Sequence, residues 1–268
     1  MTEWNAQQYA RIAGLQEAMA AEVLALLQLK GTERVLDLGC GNGKVTARIA
    51  ARVQQGSVVG VDASAEMIAF ATEKFAPAQH PNLQFEVADI RRLGFHEEFD
   101  LVVSFNALHW IPDQDVALRA IHNAMKPDAV AQLRLVPDGA RKSLETAIEE
   151  TRKSPRWAAY FQDFRDPYLH LTPEEYAALA VRNGFHVRHL HTADKHWDFK
   201  ERAAFEASCM VTLVEWTKRL PEDERLAFVR DALDRYRLVA AEKPGEENFF
   251  KFYQMDVTLT RASSLATA

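Results

Sequence analysis

Apolar positions recur at spacings of three and four through Tyr9, Ile12, Leu15, Met19, Val23 and Leu26, one face of a helix that ends near Lys30-Gly31. The period then shortens. Arg34 to Leu38 reads as a strand, "GSVVGVDAS" as a second ending at Asp62, "LQFEVADI" as a third and "FDLVVSFNAL" as a fourth. Between them "AEMIAFATEKF" reads as a helix with Ser64 as its N-cap. "PDQDVALRAIHNAM" reads as another, stopped by Lys126-Pro127, and "AVAQLRLVP" follows as a fifth strand. Strands alternating with helices at this spacing predict a parallel sheet covered on both faces.

After Pro137 the rhythm changes. Asp138 to Asp166 is charged and aromatic and predicts helix. "LTPEEYAALAVRNGF" is a helix that Thr172 caps, Pro173 starts and Asn183-Gly184 ends. A strand is expected at Val187 to Thr192, two helices over about Glu201 to Ala241, and a last strand in "FFKFYQMDVTLTRA". The division that follows is a helix plus α/β core over 1–137 and cap helices over 138–245, with a helix–strand segment near 171–200 rejoining the core. A final strand over 246–262 completes the sheet, and 263–268 is a flexible tail.

Composition excludes some classes of function. In 268 residues, 48% are hydrophobic and 26% charged, which provides for a buried core. A net charge of −6 argues against nucleic acid and anionic membranes as partners. No apolar run reaches the ~20 residues of a membrane span, and the first residues lack the basic-then-apolar pattern of a signal peptide. Two cysteines, one of them inside a glycine turn, point to the cytoplasm.

That turn, "LDLGCGNGK", carries the chemistry. A pyrophosphate-binding G-x-G-x-x-G would need glycine where Lys44 stands. What fits is D-x-G-x-G-x-G from Asp37 to Gly43. A carboxylate at the mouth of the turn repels phosphate and attracts an ammonium group. Asp62, at the next strand end, stands where an acid accepts from both ribose hydroxyls. Asp89 ends the third strand, where an acid accepts from an adenine amine while the Ile90 N–H donates to the ring. Each has a plainer reading as well: a tight turn for the glycines, a helix cap for Asp62, an acid that simply follows a strand for Asp89, and a core position for Met67.

With this order of glycine turn, ribose acid and adenine acid, the chain resembles the class I S-adenosylmethionine-dependent methyltransferases over nearly its whole length. The resemblance implies a doubly wound, mostly parallel seven-stranded, Rossmann-like sheet with a helical cap. It implies S-adenosylmethionine as cofactor, held by Tyr9, Asp37, Gly39, Cys40, Gly41, Asp62, Ala63, Met67, Asp89, Ile90 and Asn106. "ALHW", at 107–110, resembles three carboxyl-methylating groups, acting on trans-aconitate, juvenile hormone acid and malonyl-carrier protein. The first and third usually carry Gln before the Trp, the second His as here. "EWNAQQY" looks like the start of the trans-aconitate enzymes, and the tyrosine, five residues and Leu-Gln of Tyr9 to Gln16 match the hormone-acid enzymes. By that resemblance Gln16 and Trp110 donate to the substrate oxygens, with His109 beside them as the third catalytic residue.

The expected function is therefore O-methylation of a carboxylate on a small molecule. An acid with pKa near 4 is ionised at neutral pH and needs no base. The alternatives are an N- or phenol-O-methyltransferase using His109 as base, and a non-catalytic protein that binds the cofactor. A nucleic-acid enzyme is disfavoured, because no Asn-Pro-Pro-Tyr-like run follows the fourth strand. Arg134 is expected to reach the pocket and pair with a second substrate carboxylate, or else to face a surface helix; Arg165 is a weaker form of the same idea. His186, His189, His191 and His196 lack the cysteines or acids of a zinc site, so no metal is expected. The expected assembly is a monomer or weak homodimer.

Overall fold

The computed structural model describes residues 13–262. The first helix, α1, runs Ala13–Leu26, followed by β1 Arg34–Leu38, α2 Lys44–Ala50, β2 Ser57–Asp62, α3 Ala65–Lys74, β3 Leu83–Val87 and β4 Phe99–Phe105. Then come α4 Gln114–Ala124, β5 Met125–Leu135, α5 Leu144–Arg152, α6 Pro173–Arg182 and β6 Phe185–Asp198. The chain continues through α7 Arg202–Thr212, α8 Val214–Thr217 and α9 Glu222–Ala240 to β7 Phe249–Arg261. Tyr9, Ile12 and the tail 263–268 lie outside the described residues, as do the side chains of Leu15 and Gln16.

The strands form one seven-stranded sheet in the order β3-β2-β1-β4-β5-β7-β6. β1 to β5 pair in parallel, and β7 is antiparallel to both β5 and β6. Side chains alternate between the two faces along β1 and along β4 from Leu101 onward. Leu36, Leu38 and Val102 pack under α4 and α6, while Val35, Leu101 and Val103 pack on the opposite face with Ala47 and Ile49 of α2. Chain order reverses between β1 and β4, which opens a crevice at their carboxyl ends.

Local signals shape several boundaries. Thr172 and Glu175 make a capping box on α6 with Pro173 in the first turn, and the Ser64 hydroxyl accepts from the Met67 N–H to cap α3. Two boundaries differ from expectation. β5 starts at Met125, before Pro127, because the pairing with β4 slips between Phe99 and Leu101 and the slip absorbs the proline. β6 runs on to Asp198 because it stays paired with β7 along its whole length, although its second half has no apolar pattern of its own. Between Asp138 and Asp166 the chain is less helical than predicted, with α5 and a short 3-10 turn at Ala158–Phe161 interrupted around Pro155.

The cap has its own core. Trp157, Trp216, Phe205, Phe228 and Tyr236 are buried among α5, α7, α8 and α9. No helix among the described residues is long and apolar enough to cross a membrane.

Of its two expected places, Arg134 takes the helix and not the pocket. Its guanidinium is bidentate to Asp256 at 2.6 and 2.7 Å and donates to Glu22 at 3.0 Å, and Lys195 also reaches Glu22. Arg134 thus ties α1 to β5, β7 and β6 and does not line the crevice. Its five donors already have two acids to serve, so it has no need of a substrate carboxylate. Arg134→Ala is expected to cost roughly 3–5 kcal/mol, because it strands a mostly buried carboxylate. Glu22→Ala, at a side chain 46% exposed, should cost at most about 1 kcal/mol. Urea denaturation of the two variants tests the ranking.

Candidate active site

A cavity of about 660 Å³ opens over the carboxyl ends of the central strands and under the cap. Asp37, Gly39, Cys40, Gly41, Asp62, Ala63, Met67, Asp89, Ile90, Asn106, His109 and Trp110 all line it, and Arg134 does not. Met19, Ala20 and Val23 of α1 close one side.

The glycine turn is pinned from behind. The Gly39 and Cys40 N–H groups both donate to the Val61 carbonyl, at 2.8 and 3.0 Å. All three glycines have positive φ, but for different ends. A Cβ on Gly39 would lie 2.2 Å from the Ala107 Cβ, and one on Gly43 would run into Phe85 and Ala71. A Cβ on Gly41 would meet nothing within 4 Å. Gly41 is therefore the glycine that leaves space open in the turn.

Asp62 is partly engaged by the protein. Its two oxygens accept from the Gly41 N–H and the Ser64 N–H, each at 2.9 Å. Asp37 is buried in β1, and its Oδ2 accepts the Thr46 hydroxyl at 2.7 Å. Burial pushes its carboxyl up to about 7, with Thr46 pulling downward and the Asp62 charge adding to the rise. Asp89 caps the short turn Ile90–Arg92, and the Arg91 guanidinium clasps both of its oxygens, holding it below the usual carboxylate range. Asp89 thus caps a turn after its strand, and any adenine contact would share the carboxylate with Arg91. Asn106 follows β4 at φ 60, in the left-handed region. Its amide donates to the Met19 sulfur at 3.5 Å, and its Oδ1 is buried without a hydrogen-bond partner.

His109 is buried in the 3-10 turn Leu108–Trp110. Its Nδ1 accepts the Val136 N–H at 3.4 Å, so the neutral ring carries its proton on Nε2. Burial, helped by nearby His170, drives it down to about 3. That weighs against the alternative in which His109 acts as a general base: a neutral ring buried this way takes a proton poorly at pH 7. Trp110 packs against Tyr168 with ring centroids 4.2 Å apart, and Tyr168 stacks on His109 and Trp216. Tyr168, on the loop before α6, escaped sequence reading, as did Phe205 and Cys209 of α7 and Phe250 and Phe252 of β7, which also line the cavity. Cap aromatics are visible in the sequence, but which of them face inward is not.

The residues present suit S-adenosylmethionine. A buried acid with no cation beside it among the described residues and an orphaned amide oxygen are acceptors matched to an ammonium group, and the acid-lined turn disfavours phosphate. Among the described residues no cluster of His, Cys, Asp and Glu could hold a metal.

This sheet order, with an acid-bearing glycine turn at the reversal, is that of the class I methyltransferases, enzymes that take their methyl group from S-adenosylmethionine. A family model described as a methyltransferase domain matches residues 35–128. A trans-aconitate 2-methyltransferase of Deinococcus radiodurans is 31% identical over 267 residues, covering 96% of this chain and 98% of its own. Another, of Shigella dysenteriae, is 28% identical over 92% of this chain and 93% of its own. Among solved structures, phosphoethanolamine N-methyltransferase 2 of Haemonchus contortus, in complex with S-adenosylmethionine, aligns with a TM-score of 0.62 at 17% identity, over 96% of this chain and 57% of that one. The YcgJ protein of Bacillus subtilis aligns with a TM-score of 0.62 at 16% identity, over 92% and 100%. The chain belongs to the S-adenosylmethionine-dependent methyltransferases, in the family that includes the trans-aconitate 2-methyltransferases.

Two outcomes follow from the turn. Gly41→Ala is expected to weaken S-adenosylmethionine binding at least roughly tenfold with a small change in melting temperature, while Gly39→Ala lowers the melting temperature itself, since its Cβ meets backbone-anchored Ala107. Calorimetric titration beside thermal melting separates them. Cofactor affinity should also fall as pH drops below about 7, by up to ~10-fold per unit, because protonation removes the Asp37 anion. Asp37→Asn should bind weakly and lose that pH dependence.

Proposed function

We propose that the protein transfers a methyl group to a carboxylate oxygen of a small molecule. The observation that carries this is the state of His109: neutral, buried, its Nδ1 already accepting a hydrogen bond and its pKa near 3. A site whose histidine cannot take a proton suits an acceptor that arrives without one, and a carboxylate is ionised at neutral pH. The full-length likeness to enzymes named for trans-aconitate, an acid, supports the same reading. The amine or phenol alternative loses the base it was built on.

The roles we assign follow the cavity. Asp37 and Asn106 would accept from the cofactor's ammonium, Asp62 from its ribose, and Asp89 with the Ile90 N–H would meet the adenine beside Met67 and Ala63. When bound, S-adenosylmethionine supplies a methyl group already activated on a sulfonium. The protein's part is then to orient the acceptor oxygen and exclude water. Trp110 has an indole N–H to give to that oxygen. Gln16 falls in the first turn of α1, on the helix that walls the cavity, and would supply a second donor.

The test is a screen of carboxylic acids that follows S-adenosylhomocysteine release and treats the products with mild base. The expected product is a base-labile methyl ester, and kcat at saturating cofactor should be flat from about pH 6 to 8. A base-stable methyl group, with kcat rising through an ionisation near 6.5 that His109→Ala removes, would overturn the proposal.

A further inference from the structure

The two ring nitrogens of His109 are placed differently. Nδ1 accepts the Val136 N–H at 3.4 Å. A proton on Nδ1 would set two N–H groups against each other, so the neutral ring carries its proton on Nε2. Nε2 has no hydrogen-bond partner among the described residues and is not sealed inside the protein. The residue is only 6% exposed, and it lines the cavity. Nε2–H is therefore a donor standing on the cavity wall. The turn that carries it is fixed from several sides. The Leu169 N–H donates to the His109 carbonyl at 2.8 Å, and the Gln114 amide of α4 donates to the Leu108 and Leu169 carbonyls, each at 3.3 Å. Tyr168 stacks on the imidazole and His170 approaches it, each with ring centroids 5.8 Å away. Packing accounts for a buried ring at this position. It does not account for a backbone N–H that blocks one nitrogen while the other faces the cavity beside Trp110.

We propose that His109 is a catalytic residue in its neutral form: its Nε2–H donates to the acceptor's carboxylate, at the oxygen that does not attack, and so turns the other oxygen toward the methyl group. The proposal rests on the carboxylate reading above and adds a fixed donor to it. The carboxylate gives up its charge as the ester bond forms, and no proton moves. A cationic partner would hold the free anion more tightly than the transition state and so raise the barrier. A neutral N–H makes a charge-assisted bond that orients the group at less of that penalty. The burial that keeps the ring uncharged therefore suits it to this task.

The experiment uses the full chain, isotopically labelled at its histidine nitrogens, and a carboxylic acid that it methylates. The His109 signals are assigned by their loss in His109→Gln and by their contacts with the Tyr168 ring. With S-adenosylhomocysteine bound, NMR is expected to show the Nε2–H tautomer from about pH 6 to 8. Saturation with the acid should move the Nε2–H proton downfield, as a new hydrogen bond does. In kinetics followed by S-adenosylhomocysteine release, His109→Leu should lower kcat/KM for the acid at least ~10-fold. His109→Gln, whose amide keeps an N–H at similar reach, should retain most of it. Calorimetric titration with S-adenosylhomocysteine should give both variants close to wild-type affinity, which separates lost orientation from a lost fold. An Nδ1–H tautomer, an Nε2–H signal that the acid leaves unmoved, or equal losses in the two variants overturns the role of His109 and leaves the carboxylate reading standing. A wild type that methylates none of the acids, yet forms base-stable products on amines or phenols, overturns both.

Discussion

A carboxylate buried in a central parallel strand, with no cation beside it among the described residues, is the constraint around which the site is arranged. Asp37 has the Thr46 hydroxyl for a partner and the Asp62 charge for a neighbour, so its ionised form is costly while the cavity holds no positive group. The surroundings keep that cost localised. Gly39 packs tightly against Ala107, the turn is tied to the Val61 carbonyl, and Gly41 leaves open space in the turn. The two acids divide the work. Asp62 holds the turn in shape through the Gly41 and Ser64 N–H groups, so its removal would disturb the turn as well as any ribose contact. Asp37 shapes nothing comparable and is left as an acceptor.

The α/β core was legible because its signals are local and repeat. Strands buried on both faces read as unbroken apolar runs, and the helices between them carry ordinary caps such as Ser64 and Thr172. The cofactor side was legible for a related reason: its residues follow strand ends, and topology puts strand ends together. The cap was not. Its cavity-facing residues come from α5, α7, β7 and the loop at Tyr168, and nothing in their spacing announces that they converge. β6 ran past its expected end because pairing with β7, a partner distant in the chain, sustains it where its own pattern fails.

His109 and Arg134 show how residue type misleads when packing is unknown. A histidine beside a tryptophan at the fourth strand's end suggests proton transfer, yet it is buried against Val136 and Tyr168, where a charge has no support. An arginine in the fifth strand suggests an anion site, yet two acids from distant parts of the chain already claim it. In both cases the long-range partner decides the chemistry.

Both cysteines of the chain line the cavity, Cys40 among the residues of the glycine turn and Cys209 on the cap side. Both are buried, and burial holds both thiols protonated, with Asp37 and Asp62 adding their charge at Cys40. Thiol reagents attack the thiolate, so the closed protein protects both sulfurs. Alkylation then proceeds only as fast as each wall opens, and the two modification rates form a pair of clocks. One times the loosening of the strand-end turn and the other the lifting of the cap, without a label having to be introduced.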